Sequence, residues 1–316
     1  MKSLKTQIRS SDYGKLLLAR RRRIRQKRIA KIDDYEFVCK QYYKLTGRKL
    51  DVREPKRFTE KLQWLKLFYR NDLMPVCSDK SALKQYLEKY GYGDMAIKTY
   101  GSWDKVENIP IEELPESFML KASHGSSMHL VVKRKETVNW KIWKRIFSEW
   151  LKINISIDGR EWNYNEIKPQ IIAEELLQSG DRLGGVDYKF FCFHGEPKYI
   201  QVDSDLLGDH RIDFFDVEWN HLPLSCQFKN STAEITKDAH FEQMVSIAKR
   251  LSGPFPHVRV DFLIAGTQLY ISELTFFDGS GFYNFHPDSY DFIFGDELIL
   301  PEPNFNLELY HALKKS

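Results

Sequence analysis

The stretch RVDFLIAGTQLYISELT, Arg259 to Thr275, constrains this chain more than any other, because it reads as an antiparallel hairpin carrying two like charges on one face. VRVDFLI and LYISELTF are β-rich runs joined through a turn centred on Gly266. A three-residue loop, Gly266 to Gln268, sets Asp261 opposite Glu273 and turns Val258, Val260, Phe262 and Ile264 onto a buried face. Directly opposed carboxylates destabilise a sheet unless something positive lies between them. A divalent cation held by hard oxygens meets that need, and so does the guanidinium of Arg259 on the same face. The residues alone leave a plain surface cluster of Arg, Asp and Glu equally open.

The 316 residues, 42% hydrophobic and 14% aromatic, supply a core for one large domain or for two to three lobes sharing a cleft. Cys39, Cys77, Cys192 and Cys226 form no C-x-x-C pair and have no His at metal-ligand spacing, which reads as a reducing compartment without structural zinc. The net charge of +4 hides an asymmetry: residues 1–31 hold twelve Lys/Arg against one Asp, so this leader carries +11 and the remainder −7. The early apolar run Leu16 to Ala19 is far shorter than the roughly 7 to 15 residues of a secretory h-region, and no membrane span follows, which points to the cytosol. Residues 12–31 suit an anionic membrane surface, an RNA-binding arm or a solvated extension.

Apolar residues recur at helical spacing from Asp33 to Tyr69, with Thr59 as a capping residue for FTEKLQWL. SDKSALKQYLEKYGYG reads as a short helix capped by Ser78 and stopped at Gly91 or Gly93. FMLK and MHLVVK are strands joined by the small-residue loop ASHGSS. Trp140, Trp143, Phe147, Trp150 and Leu151 share the core face of a following helix. QIIAEELL, DYKFFCFHGEPKYIQV and RIDFFDVEW read as further strands, and a helix from Asp238 to Leu251 precedes the hairpin. Helices first, then a small αβ unit, then a larger antiparallel-rich one make an α+β class.

The chemistry-bearing residues lie at strand ends. Lys121 precedes ASHGSS, whose small residues let backbone N–H groups wrap phosphate oxygens while the lysine neutralises their charge. The order is not that of a Walker A loop, in which Gly-Lys-Ser/Thr opens a helix. Glu174 and Glu175 interrupt an apolar strand, and Asp187 and Lys189 share one face of another. Each piece alone also reads as an ordinary turn or a partly exposed strand.

In this order, DKxxxK, a strand lysine with a small-residue loop, EE, DYK, RVDF and SELT make the chain resemble the ATP-grasp ligases. It is more similar to the TupA-like ATP-grasp proteins of cell-surface polysaccharide clusters, over roughly Phe58 to Pro287. The resemblance implies an ATP-grasp fold, two αβ subdomains clasping ATP after a helical N-terminal region, divided as 1–31, 32–115, a lid at 116–173 and a catalytic unit at 174–316. It implies that Lys84 and Lys121 contact nucleotide phosphates, that Gly125, Ser126 and Ser127 cover them, and that Glu174, Glu175 and Leu177 hold the adenine edge. It further implies a ribose contact at Asp187, a phosphate contact at Lys189, Mg²⁺ ligands at Asp261 and Glu273, and a charge-stabilising Arg259. Thr275 stands where many ATP-grasp enzymes have a metal-binding Asn, with Asp278 or water able to complete the shell. Residues 32–115 offer a helical segment where a full α/β lobe is usual.

The activity implied is ATP- and Mg²⁺-dependent carboxylate–amine ligation on a surface-glycan precursor; the basic charge of residues 1–31, separately, suits peripheral membrane contact, and no nucleic-acid partner is expected. A glycosyltransferase and a non-catalytic nucleotide-binding scaffold are the rivals. For the first, the chain has one D-x-D, Asp203-Ser204-Asp205, read as following a strand in an acidic loop. Of the histidines, His124 and His286 neighbour the proposed loops, and with His129 and His194 they read as surface groups.

Overall fold

A computed structural model of the chain describes residues 11–179, 182–183, 186–204 and 210–315. Two antiparallel sheets organise it. The smaller contains β1 (Thr99–Trp103), β2 (Phe118–Ala122), β3 (His129–Val132) and β4 (Ile171–Glu174), in the order β1-β4-β2-β3. A short hairpin, β5 (Gln178–Ser179) and β6 (Arg182–Leu183), follows. The larger sheet contains β7 (Val186–Phe193), β8 (Glu196–Ser204), β9 (Arg211–Asp216), β10 (His221–Leu222), β12 (His257–Ala265) and β13 (Gln268–Thr275), in the order β10-β9-β8-β7-β12-β13. The minor strands β11 (Ser225–Cys226) and β14 (Phe285–His286) pair separately. An isolated bridge between Ala96 and Ile271 joins the approach to β1 with the edge strand β13, so the two sheets meet along one cleft.

The α+β class expected from the sequence is what the chain adopts. Each sheet carries its own core. Helices Asp34–Thr46, Phe58–Phe68, Phe241–Ser252 and Ser289–Glu297 cover the larger one, where Phe58 meets Phe191, Phe193 and His257 edge-on and Phe294 meets Phe191 and Phe193 in the same way. Each such buried ring contributes roughly 2–3 kcal/mol. Trp143, Phe147 and Trp150 bury one face of helix Trp140–Trp150 in the smaller core, with Trp140 and Leu151 at its margin, as the periodicity predicts.

The packing redraws several details. Thr99–Trp103 is a strand of the smaller sheet, although residues 32–115 read as helical. The basic segment is not a solvated tail. Helix Asp12–Ile29 inserts Leu16 and Ala19 into the smaller core, Arg22 and Arg25 bind Asp158, Arg20 and Arg23 bind Glu149, and Gln26 donates to the Asn154 carbonyl at 2.7 Å. Residues 1–10 lie outside the described residues. Thr59 is inside its helix rather than capping it: Asp291, remote in sequence, accepts from the Thr59 amide at 2.9 Å and from its hydroxyl at 2.8 Å. Ser78 ends a preceding helix, Leu73–Ser78, and the next helix is Leu83–Lys89. No helix among the described residues is long and apolar enough to cross a membrane.

Candidate functional site

The hairpin reaches the expected pairing by a different route. Ala265 pairs with Gln268, so the turn has two residues, Gly266 and Thr267, and Gly266 supplies the positive φ of 63° that such a turn favours. A two-residue turn alone would shift the register by one. A bulge between Asp261 and Phe262 restores it and sets Asp261 against Glu273. Val258, Val260, Phe262 and Ile264 are buried as predicted.

Positive charge does lie between the facing acids. Arg259 donates to both oxygens of Asp261, Nε to Oδ1 at 2.7 Å and Nη2 to Oδ2 at 2.6 Å, and also reaches Thr275 Oγ1 at 3.3 Å and Asp278. Lys80 donates to Glu273 Oε1 and to the Gly125 carbonyl, both at 3.1 Å. Burial raises the Asp261 pKa and prevails over the pull of Arg259. Burial works to raise Glu273 as well, but Lys80 and Arg259 outweigh it and hold that carboxyl below its ordinary value. Arg259 is buried too, yet Asp261 keeps its pKa above the usual arginine value.

Other implicated residues gather on the same cleft. Lys121 on β2 binds Glu174 on β4 at 2.6 Å, across adjacent strands. The Glu175 amide is anchored on the Lys98 carbonyl at 2.9 Å, and Leu177 is buried. Ser126 and Ser127 are exposed at the loop tip, Ser127 with a φ of 59°. A Cβ on Gly125 would come within 2.6 Å of Met128 and Ile155 side-chain atoms, so glycine lets this loop lie close to its own unit. Lys189 on β7 lies 3.8 Å from Asp187 and pairs more closely with Asp203.

Lys84 is not brought into this cluster. Its Nζ stands 3.9 Å from Glu88, and both side chains are more than half exposed, although Lys84 borders a narrow cleft that Lys80, Glu174 and Ser272 also line. Lys80 is the residue that sequence reasoning missed. A helix begun at Ser78 would place Lys80 and Lys84 on one face; the break at Asp79–Ala82 separates them. Asp203, read as a loop acid, lies within β8, buried, accepting from Gln201 at 2.6 Å and from Lys189, which leaves it unlike an exposed metal-binding D-x-D; Asp205 lies outside the described residues. His124 is likewise not a surface group but buried, with Nε2 3.1 Å from the Trp150 carbonyl, whereas His286 is exposed.

Magnesium, which the resemblance implies, requires hard oxygen donors. Asp261, Glu273 and the Thr275 hydroxyl provide them side by side, while no group of three or more His, Cys, Asp or Glu among the described residues forms a cage of its own. That donor set fits an ion completed by nucleotide phosphates and water. A cavity of about 330 Å³ opens beside Arg259, lined by Ser127, Lys189, Asp278, Tyr283 and Phe228 among others. A larger one, about 560 Å³, lies away from Arg259, between Arg70, Arg160, Trp162 and Phe305.

Burial lifts Asp187 to about 6, against the pull of Lys189. An acid whose folded pKa exceeds its unfolded value of about 3.8 loses folding stability as pH rises through the window between them. Asp187→Asn is therefore expected to stabilise the fold by about 1–2 kcal/mol at pH 8, with the gain vanishing by about pH 4. Denaturant titrations at both pH values check this; a gain independent of pH would refute the burial assignment.

The TupA-like ATPgrasp family model matches residues 60–299. Among solved structures, ATP-grasp ligase PsnB complexed with a minimal precursor is 12% identical, with 64% of this chain and 53% of that one covered and a TM-score of 0.37. D-alanine–D-alanine ligase from Bacillus anthracis complexed with ATP is 13% identical, with 76% and 68% covered and a TM-score of 0.41. N5-carboxyaminoimidazole synthase from Aspergillus clavatus is 13% identical, with 64% and 44% covered and a TM-score of 0.36. The chain thus spans little more than half of PsnB. No curated protein matches the sequence.

Proposed function

The chain belongs to the TupA-like ATP-grasp family, and on that premise we propose that it is an ATP- and Mg²⁺-dependent carboxylate–amine ligase acting on a surface-glycan precursor at the cytoplasmic side of the membrane. One observation carries this reading: Lys80, from the turn between two helices, and Lys121, Lys189 and Arg259, from three strands, converge with Asp261 and Glu273 on one cleft between the two sheets. Such an array suits a reaction whose catalysis is positioning and charge neutralisation.

In this reading Lys80, Lys121 and Lys189 turn from their carboxylate partners to nucleotide phosphates, with Ser126 and Ser127 covering them. The stretch from Glu174 to Leu177 holds the adenine edge and Asp187 the ribose. Asp261, Glu273 and Thr275 would hold Mg²⁺, which when bound neutralises phosphate charge and polarises the γ-phosphoryl group. Residues 116–173 act as lid and residues 174–316 as the catalytic unit, while the 330 Å³ cavity beside Arg259 receives the carboxylate substrate.

A carboxylate oxygen of the substrate forms a bond to the γ-phosphorus as the bond to the ADP oxygen breaks. An amine then forms the C–N bond, loses a proton, and phosphate departs. Arg259 supplies fixed positive charge where negative charge develops in both steps. Incubating the protein with ATP, Mg²⁺ and a pool of amino acids and uronate-containing lipid-linked sugars tests the reading by product mass. The expected product weighs one carboxylate plus one amine less water. Transfer of an intact sugar from a nucleotide donor would replace ligation with glycosyl transfer, and tight ATP binding without any product from the pool would favour a scaffold.

A further inference from the structure

The helix Asp12–Ile29 has two occupied faces, and the core explains one. Gly14, Leu16, Ala19 and Gln26 are buried against the smaller unit. On the face opposite Ala19 and Gln26, with Gly14 and Leu16 at its flanks, Tyr13, Leu17 and Ile24 are 69%, 47% and 51% exposed. At 100° per residue these three form a single stripe, with Arg20 and Lys27 along one side and Arg21 and Arg28 along the other. Arg22, Arg23 and Arg25 bind acids of the chain's own surface, and Arg20 is shared with Glu149. Arg21, Lys27, Arg28 and Lys31 have no carboxylate partner among the described residues.

From this arrangement we propose that the outer face of the helix is a docking surface for an anionic lipid bilayer. The stripe enters the headgroup boundary and the flanking cations meet lipid phosphates and carboxylates. Neither half suffices: charge alone would suit any polyanion, and an apolar stripe alone would suit any apolar partner. An apolar line with cations on both sides, of which Arg21, Lys27 and Arg28 have no carboxylate partner among the described residues, matches an interface that is apolar within and negatively charged at its surface. Because the inner face holds the helix on the folded unit, the protein would dock through a rigid platform rather than through a helix that orders on contact. The inference stands on this face alone and does not depend on the ligase reading.

The test uses the full chain, since deleting the helix would strip Leu16 and Ala19 from the core. Partition is measured by vesicle sedimentation on pure phosphatidylcholine and on phosphatidylcholine containing about 30% phosphatidylglycerol, at low and high salt. Binding is expected on the anionic vesicles only and should fall by at least about tenfold at high salt. The combined variant Arg21→Glu, Lys27→Glu, Arg28→Glu, Lys31→Glu should lose about a hundredfold or more. Leu17→Gln with Ile24→Gln, which keeps every charge, should lose about tenfold. All these side chains are exposed, so melting curves should match the parent. Unchanged partition in the glutamine variant, with a single-stranded RNA bound as tightly as the vesicles, would overturn the proposal in favour of a polyanion arm. Equal binding to both vesicle types would overturn it too, as would a glutamine variant that only converts a dimer to a monomer.

Discussion

Glu273→Gln is expected to lower ligation by at least about a thousandfold while moving the melting temperature by no more than a few degrees. The amide still accepts from Lys80, which now donates to Glu273 at 3.1 Å, so the local network survives. What disappears is the negative charge that a magnesium nucleotide needs on this strand. Asp261→Asn should cost as much activity but more stability, about 1–3 kcal/mol. Its carboxylate takes two donors from a buried guanidinium, and Asp278 then remains as that group's acidic partner. From the sequence, neutralising either acid reads as relief of repulsion. In the structure both acids are already paired, so only the glutamine variant separates rate from stability. Initial rates with chemical denaturation of the same preparations provide the check. Retention of more than about a tenth of parental turnover by Glu273→Gln would remove this carboxylate from the metal site.

The second large effect belongs to Lys121. Lys121→Gln should weaken ATP by about 30- to 100-fold and adenosine by less than about threefold, because an ammonium group serves phosphate and not base. Glutamine is preferable to alanine here. Glu174 is buried, and an uncompensated carboxylate at that position would confound binding with stability. Calorimetric titration with ATP, ADP and adenosine reads the difference directly. Equal losses for ATP and adenosine would place Lys121 in the fold rather than at the phosphates.

Much of this was legible in the sequence wherever period and pairing decide the outcome. The alternation of Val258, Val260, Phe262 and Ile264 sets the buried face of β12, and the aromatic face of helix Trp140–Trp150 sets the smaller core. Facing of Asp261 and Glu273 was legible too, although the turn and the bulge that produce it trade one residue and cancel. Long-range hydrogen bonds were not. Asp291 caps a helix more than two hundred residues away, and no local signal announces it. Lys80 stands in the DKxxxK run but was given no role, because a capping serine suggested a helix start four residues before the actual one at Leu83. The basic helix misleads for a related reason: its charge suggests solvent, whereas Glu149 and Asp158, far along the chain, bring much of that charge onto the folded surface.

The central claim is that the cleft uses ATP to activate a carboxylate as an acyl phosphate. Chromatography of the nucleotides after reaction with a competent carboxylate and amine, with and without EDTA, addresses it most directly. The account predicts one ADP and one phosphate for each amide formed, all three lost when EDTA removes the divalent ion. AMP and pyrophosphate in that stoichiometry would contradict it, since the carboxylate would then have attacked the α-phosphorus.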